Sequence, residues 1–129
     1  MIYVVDTHSV VWFLEADRRL GERARAALED PDARLIIPTI VLAEIAFLYA
    51  RGRIAVSVPQ VLAAVAGVPR CVVYPLDEAV VDRLPPVLSI HDAIIVATAL
   101  AFRDDTDEGT AVVTRDAEIA ASGLVEVVW

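Results

Sequence analysis

Four carboxylates stand where an α/β chain could use them for chemistry. Asp6 directly follows the apolar run IYVV, Glu44 lies inside TIVLAEIAFLYA, Asp92 comes early in SIHDAIIVATALAF, and Asp116 follows TAVVT. Glu44 is the most telling of them. It is the single charge between Thr39 and Ala50, it lies too far past Thr39 to cap a helix, and its one-turn neighbours Val41 and Leu48 are apolar. An isolated charge withdrawn from water costs on the order of several kcal/mol unless something pairs with it, and no arginine stands within a turn. Either Glu44 reaches solvent across an apolar face, or it meets a cation supplied from elsewhere.

The other three acids have plainer readings beside the chemical one. Asp6 and Asp116 each stand where a helix should begin and would serve as N-caps. Asp92 completes S-x-x-D with Ser89, the pattern of a capping box. Acids at the carboxyl ends of parallel strands, or at the starts of the helices that follow, share one edge of an open sheet, the edge where ligands bind. Four carboxylates gathered there would repel one another and retain protons unless a cation intervened. Carboxylates without a His–Cys cluster favour a hard divalent ion, Mg²⁺ or Mn²⁺, over Zn²⁺. Ions of this kind act on phosphates.

The elements that must position these acids are legible. IYVV, LIIP, CVVY, TAVVT and VEVVW are short β-branched runs without polar alternation, as in strands buried on both faces of a parallel sheet. Helical segments lie between them. THSVVWFLEA follows the first strand, and GERARAALED, with Leu20 just before it, puts Leu20, Ala24, Ala27 and Leu28 on one stripe. The Glu44 helix has Thr39 as its expected N-cap and Gly52 as the residue just past its end. VPQVLAAVAG and DEAVVDRL predict shorter helices, SIHDAIIVATALAF a long one, and RDAEIAAS leads into the last strand. Alternation of this kind predicts an α/β fold: one domain over residues 1–129, with a mainly parallel sheet of about five strands sandwiched between helices.

Composition narrows the function. The chain has 129 residues, 57% of them hydrophobic, which suits an ordered core. One cysteine, Cys71, leaves no internal disulfide and fits a reducing compartment. The opening MIYVVD lacks a basic leader, and no uncharged run reaches the roughly 20 residues that cross a bilayer. The expected location is therefore cytoplasmic, with no membrane contact. A net charge of −8 argues against a general nucleic-acid coat but not against an enzyme whose phosphate affinity comes from bound metal. All 11 basic residues are arginine, a bias that a GC-rich genome explains.

With these positions in place, VVDTHSVVWFL, IPTIVLAEIAFL, SIHDAIIVATALA and AVVTRDAEI, taken in order, resemble the PIN-domain ribonucleases. Among these the chain is most similar to the VapC-type toxins of type II toxin–antitoxin systems. The resemblance spans essentially the whole chain. It implies that Asp6, Glu44, Asp92 and Asp116 form an acidic catalytic quartet. Asp6, Asp92 and Asp116 would hold one or two Mg²⁺ or Mn²⁺ ions, and Glu44 would join directly or through water. Thr114 corresponds to a hydroxyl residue that supports the site, and Thr7 to a small hydroxyl residue after the first acid. The implied activity is metal-dependent endonucleolytic hydrolysis of RNA, leaving a 5′-phosphate and a 3′-hydroxyl. The implied partners are an RNA substrate, a VapB-type antitoxin and a second copy of the chain. A mean hydropathy of +0.60 agrees with apolar surface covered by such partners.

Several residues stand outside this pattern. Arg51, Arg53 and Arg115 are candidate RNA contacts, although Arg51 and Arg53 also suit the cationic end of a helix. His91 adjoins Asp92, but helix neighbours point about 100° apart, so a surface or partner-facing histidine is the expectation. His8 is placed near the rim of the site, and Trp12 and Phe13 in the core or a dimer contact. RDDTDEG is an acidic loop longer than the turn usual in the family, read as a solvated loop, and it lacks EF-hand ligand spacing. Two other functions remain. One is a non-catalytic PIN-like module that binds RNA or protein. The other is a phosphotransfer protein of haloacid-dehalogenase or receiver type, disfavoured because DTH lacks the second acid of D-x-D and the chain has no lysine.

Overall fold

The five β-branched runs pair into one sheet. In the computed structural model, which describes residues 1–129, they become β1 (Ile2–Val5), β2 (Arg34–Pro38), β3 (Cys71–Tyr74), β4 (Thr110–Val113) and β5 (Glu126–Val128). Their order is β3-β2-β1-β4-β5, and every neighbouring pair is parallel. The connections are α1 (Thr7–Leu14) and α2 (Glu22–Glu29), α3 (Thr39–Ala50) and α4 (Val58–Ala66), α5 (Glu78–Val81) and α6 (Ile90–Asp105), and α7 (Ala117–Ser122). Strand order reverses between β1 and β4, which places a topological switch point at the carboxyl ends of those two strands.

Burial follows position in the sheet. Ile2, Val4, Ile36 and Val112 of the central strands are fully buried, each worth about 1.5–3 kcal/mol relative to exposure. The edge strand β3 departs from the expectation of burial on both faces: Val72 is exposed, because an edge strand has one neighbour and incomplete helical cover. On α2, Ala24, Ala27 and Leu28 are buried as their spacing predicts, and Leu20 joins them. The apolar helix α6 lies across β4, β1 and β2, with Ala93 to Ala99 buried throughout. A cleft of about 390 Å³ opens elsewhere on the surface, walled by Val10 and Phe13 of α1, Val61 and Val65 of α4, and Leu35 and Cys71 of the sheet. No helix is long and apolar enough to cross a membrane.

Local signals differ from expectation in three places. The N-cap of α3 is Pro38, not Thr39; Thr39 is the first helical residue, and its hydroxyl accepts from the Leu76 N–H at 3.3 Å. DEAVVDRL shrinks to the single turn of α5, capped by Asp77 and stopped short of Pro85 and Pro86. RDDTDEG is not all loop, because α6 runs on through Asp105. Glu108 faces the edge where the strands begin. Asp104 lies 3.0 Å from Arg83, and Glu108 lies 3.7 Å from both the N-terminal ammonium and Arg34.

The end of α3 forms as its sequence predicts. Gly52 has φ +68°, its N–H donates to Tyr49, and the Arg53 N–H donates to Leu48, which satisfies two terminal carbonyls. A Cβ there would meet no atom within 4 Å, so the cost of adding one is purely conformational. Gly52→Ala should lower stability by about 1 kcal/mol in urea unfolding and leave the middle of α3, where Glu44 sits, unchanged.

Candidate active site

Asp6 ends β1 and caps α1. Its extended backbone lets Oδ1 accept the Ser9 N–H at 2.9 Å, and the Asp6 N–H donates to Val113 at 3.2 Å. The fully buried Ser9 hydroxyl donates to the same Val113 carbonyl at 3.0 Å. The start of α1 is thus pinned to the end of β4. One residue further, the fully buried Thr114 hydroxyl donates to Asp6 Oδ2 and accepts the Asp116 N–H at 3.0 Å. Thr114 therefore joins the first and last acids of the quartet, although 108 residues separate it from Asp6.

Asp116 is also an N-cap, of α7. Its Oδ1 accepts from Glu118 and Ile119, both at 2.9 Å, which leaves Oδ2 without a protein donor. For Asp6 and Asp116 the capping reading and the chemical reading are compatible: capping orients each carboxylate toward the switch point.

Asp92 lies in the first turn of α6. The capping box expected with Ser89 does not form, since Ser89 holds the N-cap position without a side-chain bond to the helix backbone. Burial pushes the Asp92 carboxyl above its ordinary pKa, and the negative charge of Asp116 adds to the push. The Ser89 hydroxyl and His91 partly offset it, and Glu118 contributes a further upward effect. A neighbouring like charge that raises the pKa of Asp92 is the electrostatic mark of acids set close together.

Glu44 meets His91. The imidazole Nδ1 stands 3.1 Å from Glu44 Oε2, with about a third of each side chain exposed, and Nε2 is 3.5 Å from the buried Thr7 hydroxyl. The expectation of a surface or partner-facing histidine is therefore corrected. The 100° offset along α6 is what sends Asp92 toward Asp116 and His91 toward α3. Thr7 does more than start a helix, because its hydroxyl lines this contact.

The candidate cations are scattered. Arg115, beside Asp116, is exposed, with its guanidinium 4.7 Å from the Trp12 ring centroid and 6.0 Å from that of Trp129. Trp12 is buried, as expected, and His8 lies against its ring at 5.1 Å. Arg51 and Arg53 stand at the far end of α3, about 10 Å along the axis from Glu44; Arg51 covers Phe47 instead. Glu118 was missed by sequence reasoning, and its only signal there is the D-x-E spacing with Asp116.

Thr114 thus bridges Asp6 to Asp116, and Asp92 feels the charge of Asp116, while Glu44 contacts His91 and none of the other three acids. No three His, Cys, Asp or Glu side chains close into a ready set of metal ligands. The donors nevertheless fit a hard dication in kind: they are carboxylate oxygens, Asp116 Oδ2 has no protein donor, and the Asp92–Asp116 repulsion is what such an ion relieves.

The PIN-domain family model matches residues 3–123. Two solved structures share the fold. One is VapBC2 of Rickettsia felis bound to a DNA fragment from its promoter, at 15% identity and TM-score 0.66, covering 98% of this chain and 97% of that one. The other is VapBC-1 of nontypeable Haemophilus influenzae, at 18% identity and TM-score 0.62, covering 98% of this chain and 96% of that one. No match to a curated protein accompanies them. With its model matched from β1 to the end of α7 and its acids at the switch point of a parallel sheet, this chain belongs to the PIN-domain family.

Proposed function

We propose that this chain is a divalent-metal-dependent endoribonuclease, the VapC-like toxin of a toxin–antitoxin pair, acting as a single PIN domain over residues 1–129. The observation that carries the reading is the Asp6–Thr114–Asp116 link at the switch point, with the Asp92 charge opposed by Asp116 beside it. Asp6, Asp92 and Asp116 would hold Mg²⁺ or Mn²⁺, and Glu44 would contribute directly or through water. When bound, the ion supplies charge neutralisation at the phosphodiester and lowers the pKa of a bound water. The chain's own residues supply geometry. Thr114 fixes Asp6, the α7 cap orients Asp116, and Arg115, steadied over Trp12, lies beside Asp116 where a backbone phosphate would pass.

Partners follow from the same reading. The net charge of −8 favours a basic segment of a VapB-type antitoxin, and the apolar cleft and exposed Phe47, Val87 and Ile90 offer surface to an antitoxin or a second copy. The non-catalytic alternative draws on one specific observation, the lack of three converging ligands.

Cleavage decides between the two. The purified chain is expected to cut RNA in Mg²⁺ or Mn²⁺ to products with 5′-phosphates, and EDTA should stop it. Asp6→Asn should abolish cutting with circular dichroism unchanged. Intact RNA in both metals, or full activity of Asp6→Asn, would overturn the enzyme reading.

A further inference from the structure

The pairing of Glu44 with His91 carries an inference that deepens the nuclease reading and rests on it. Glu44 is a flexible side chain on a helix that offers it no polar neighbour, and its carboxylate makes no other polar contact in the chain. What determines where that carboxylate points is an imidazole from another helix. His91 Nδ1 faces Glu44 Oε2 at 3.1 Å. A carboxylate at that distance calls for an N–H on Nδ1, and Nε2 faces the Thr7 hydroxyl at 3.5 Å. Thr7 is 2% exposed and directly follows Asp6, so its position is set by the same packing that fixes the first acid. One first turn of α6 thus contributes Asp92 on one side and, 100° around, the group that aims the acid of α3.

We propose that His91 is a positioning residue that holds Glu44 toward the acidic pocket, with Thr7 steadying the ring from behind, so that Glu44 joins the metal site with its second oxygen. Oε1 is the free oxygen of the pair, and a ligand already held in place loses less conformational freedom on engaging an ion than one swinging in solvent. The role is orientation, carried through Glu44 and not through contact with substrate.

Direct Mn²⁺ binding by isothermal titration tests this without reference to turnover, using the full chain. His91→Ala is expected to weaken Mn²⁺ binding about 10–100-fold with unchanged circular dichroism. His91→Asn, whose amide N–H lies near the Nδ1 position, should recover most of the loss. His91→Gln, whose amide lies near Nε2 and faces Thr7, should not. Combining His91→Ala with Glu44→Gln should cost little more than Glu44→Gln alone, because both remove one interaction. Wild-type affinity in His91→Ala, equal behaviour of the Asn and Gln variants, or additive losses in the double variant would overturn the proposal. If His91→Ala fails to fold, the Asn–Gln contrast decides. The nuclease reading fails separately: Asp92→Asn would then bind Mn²⁺ as the parent does, or the parent would not bind it at all.

Discussion

Asp92→Asn should abolish RNA cleavage and, at neutral pH without metal, leave the protein more stable than the parent chain. The loss of activity follows from removing one anionic oxygen ligand. A dication contributes several kcal/mol of charge stabilisation in phosphoryl chemistry, and each ~1.4 kcal/mol is tenfold in rate, so the fall is expected to be about a thousandfold or more. The gain in stability follows from the direction of the pKa shift. Burial and the Asp116 charge raise the Asp92 pKa in the folded protein above its ordinary 3.8. Just above that value the folded state therefore binds more protons than the unfolded chain, and stability falls as pH rises through the folded pKa. An asparagine escapes this loss. Asp92 is partly open to solvent, so screening keeps the gain modest. Urea unfolding in EDTA from pH 4 to 8 should show the parent losing stability relative to Asp92→Asn as pH rises. Mn²⁺ at a hundredfold excess over its dissociation constant should add about 2.7 kcal/mol to the parent and much less to the variant. A variant no more stable than the parent, and equally stabilised by Mn²⁺, would contradict both halves.

The second large effect is expected from Thr114→Val, which keeps the shape of the side chain and removes its hydroxyl. That hydroxyl is fully buried and makes two bonds, donating to Asp6 Oδ2 and accepting the Asp116 N–H. Valine leaves a carboxylate oxygen and an amide without partners, at a cost of about 2–3 kcal/mol. Activity should fall about 10–100-fold, the range for groups that orient metal ligands, because Asp6 and Asp116 lose the bridge between them. Thr114→Ser restores both bonds and should recover stability and cutting together. Chemical denaturation and a single-turnover RNA assay on the three proteins read the two effects. Parent-like behaviour of the valine variant would remove Thr114 from the site.

The residues of this chain carried unequal amounts of information. The five strands were legible because β-branched runs such as IYVV and TAVV have few alternatives to a buried parallel strand, and all five formed where the runs lie. Gly52 was legible because its left-handed conformation is nearly a glycine monopoly. The Thr39 cap was misplaced by one residue. A threonine after Pro38 satisfies cap preference, yet the extended backbone falls on the proline. DEAVVDRL has helical composition, but the Pro85–Pro86 pair limits how far it can run.

The sequence by itself determined the inventory: three acids at the start of a helix or the end of a strand and a fourth, Glu44, isolated in an apolar helix, in a chain whose alternating elements admit essentially one class of fold. Tertiary structure alone decided the partners. Nothing local to Glu44 reveals that its neighbour is His91, 47 positions later, or that Thr114 bonds to Asp6 across the sheet. Local preferences arise from backbone and side-chain sterics within a few residues, whereas these contacts depend on the strand order β3-β2-β1-β4-β5 and on the rotation of α6 over it. That rotation is set by packing Ile95 and Ala99 into the main core and Ile94, Ala97 and Ala101 against Val80 of α5, so apolar burial along the helix chose which polar groups its first turn brings together.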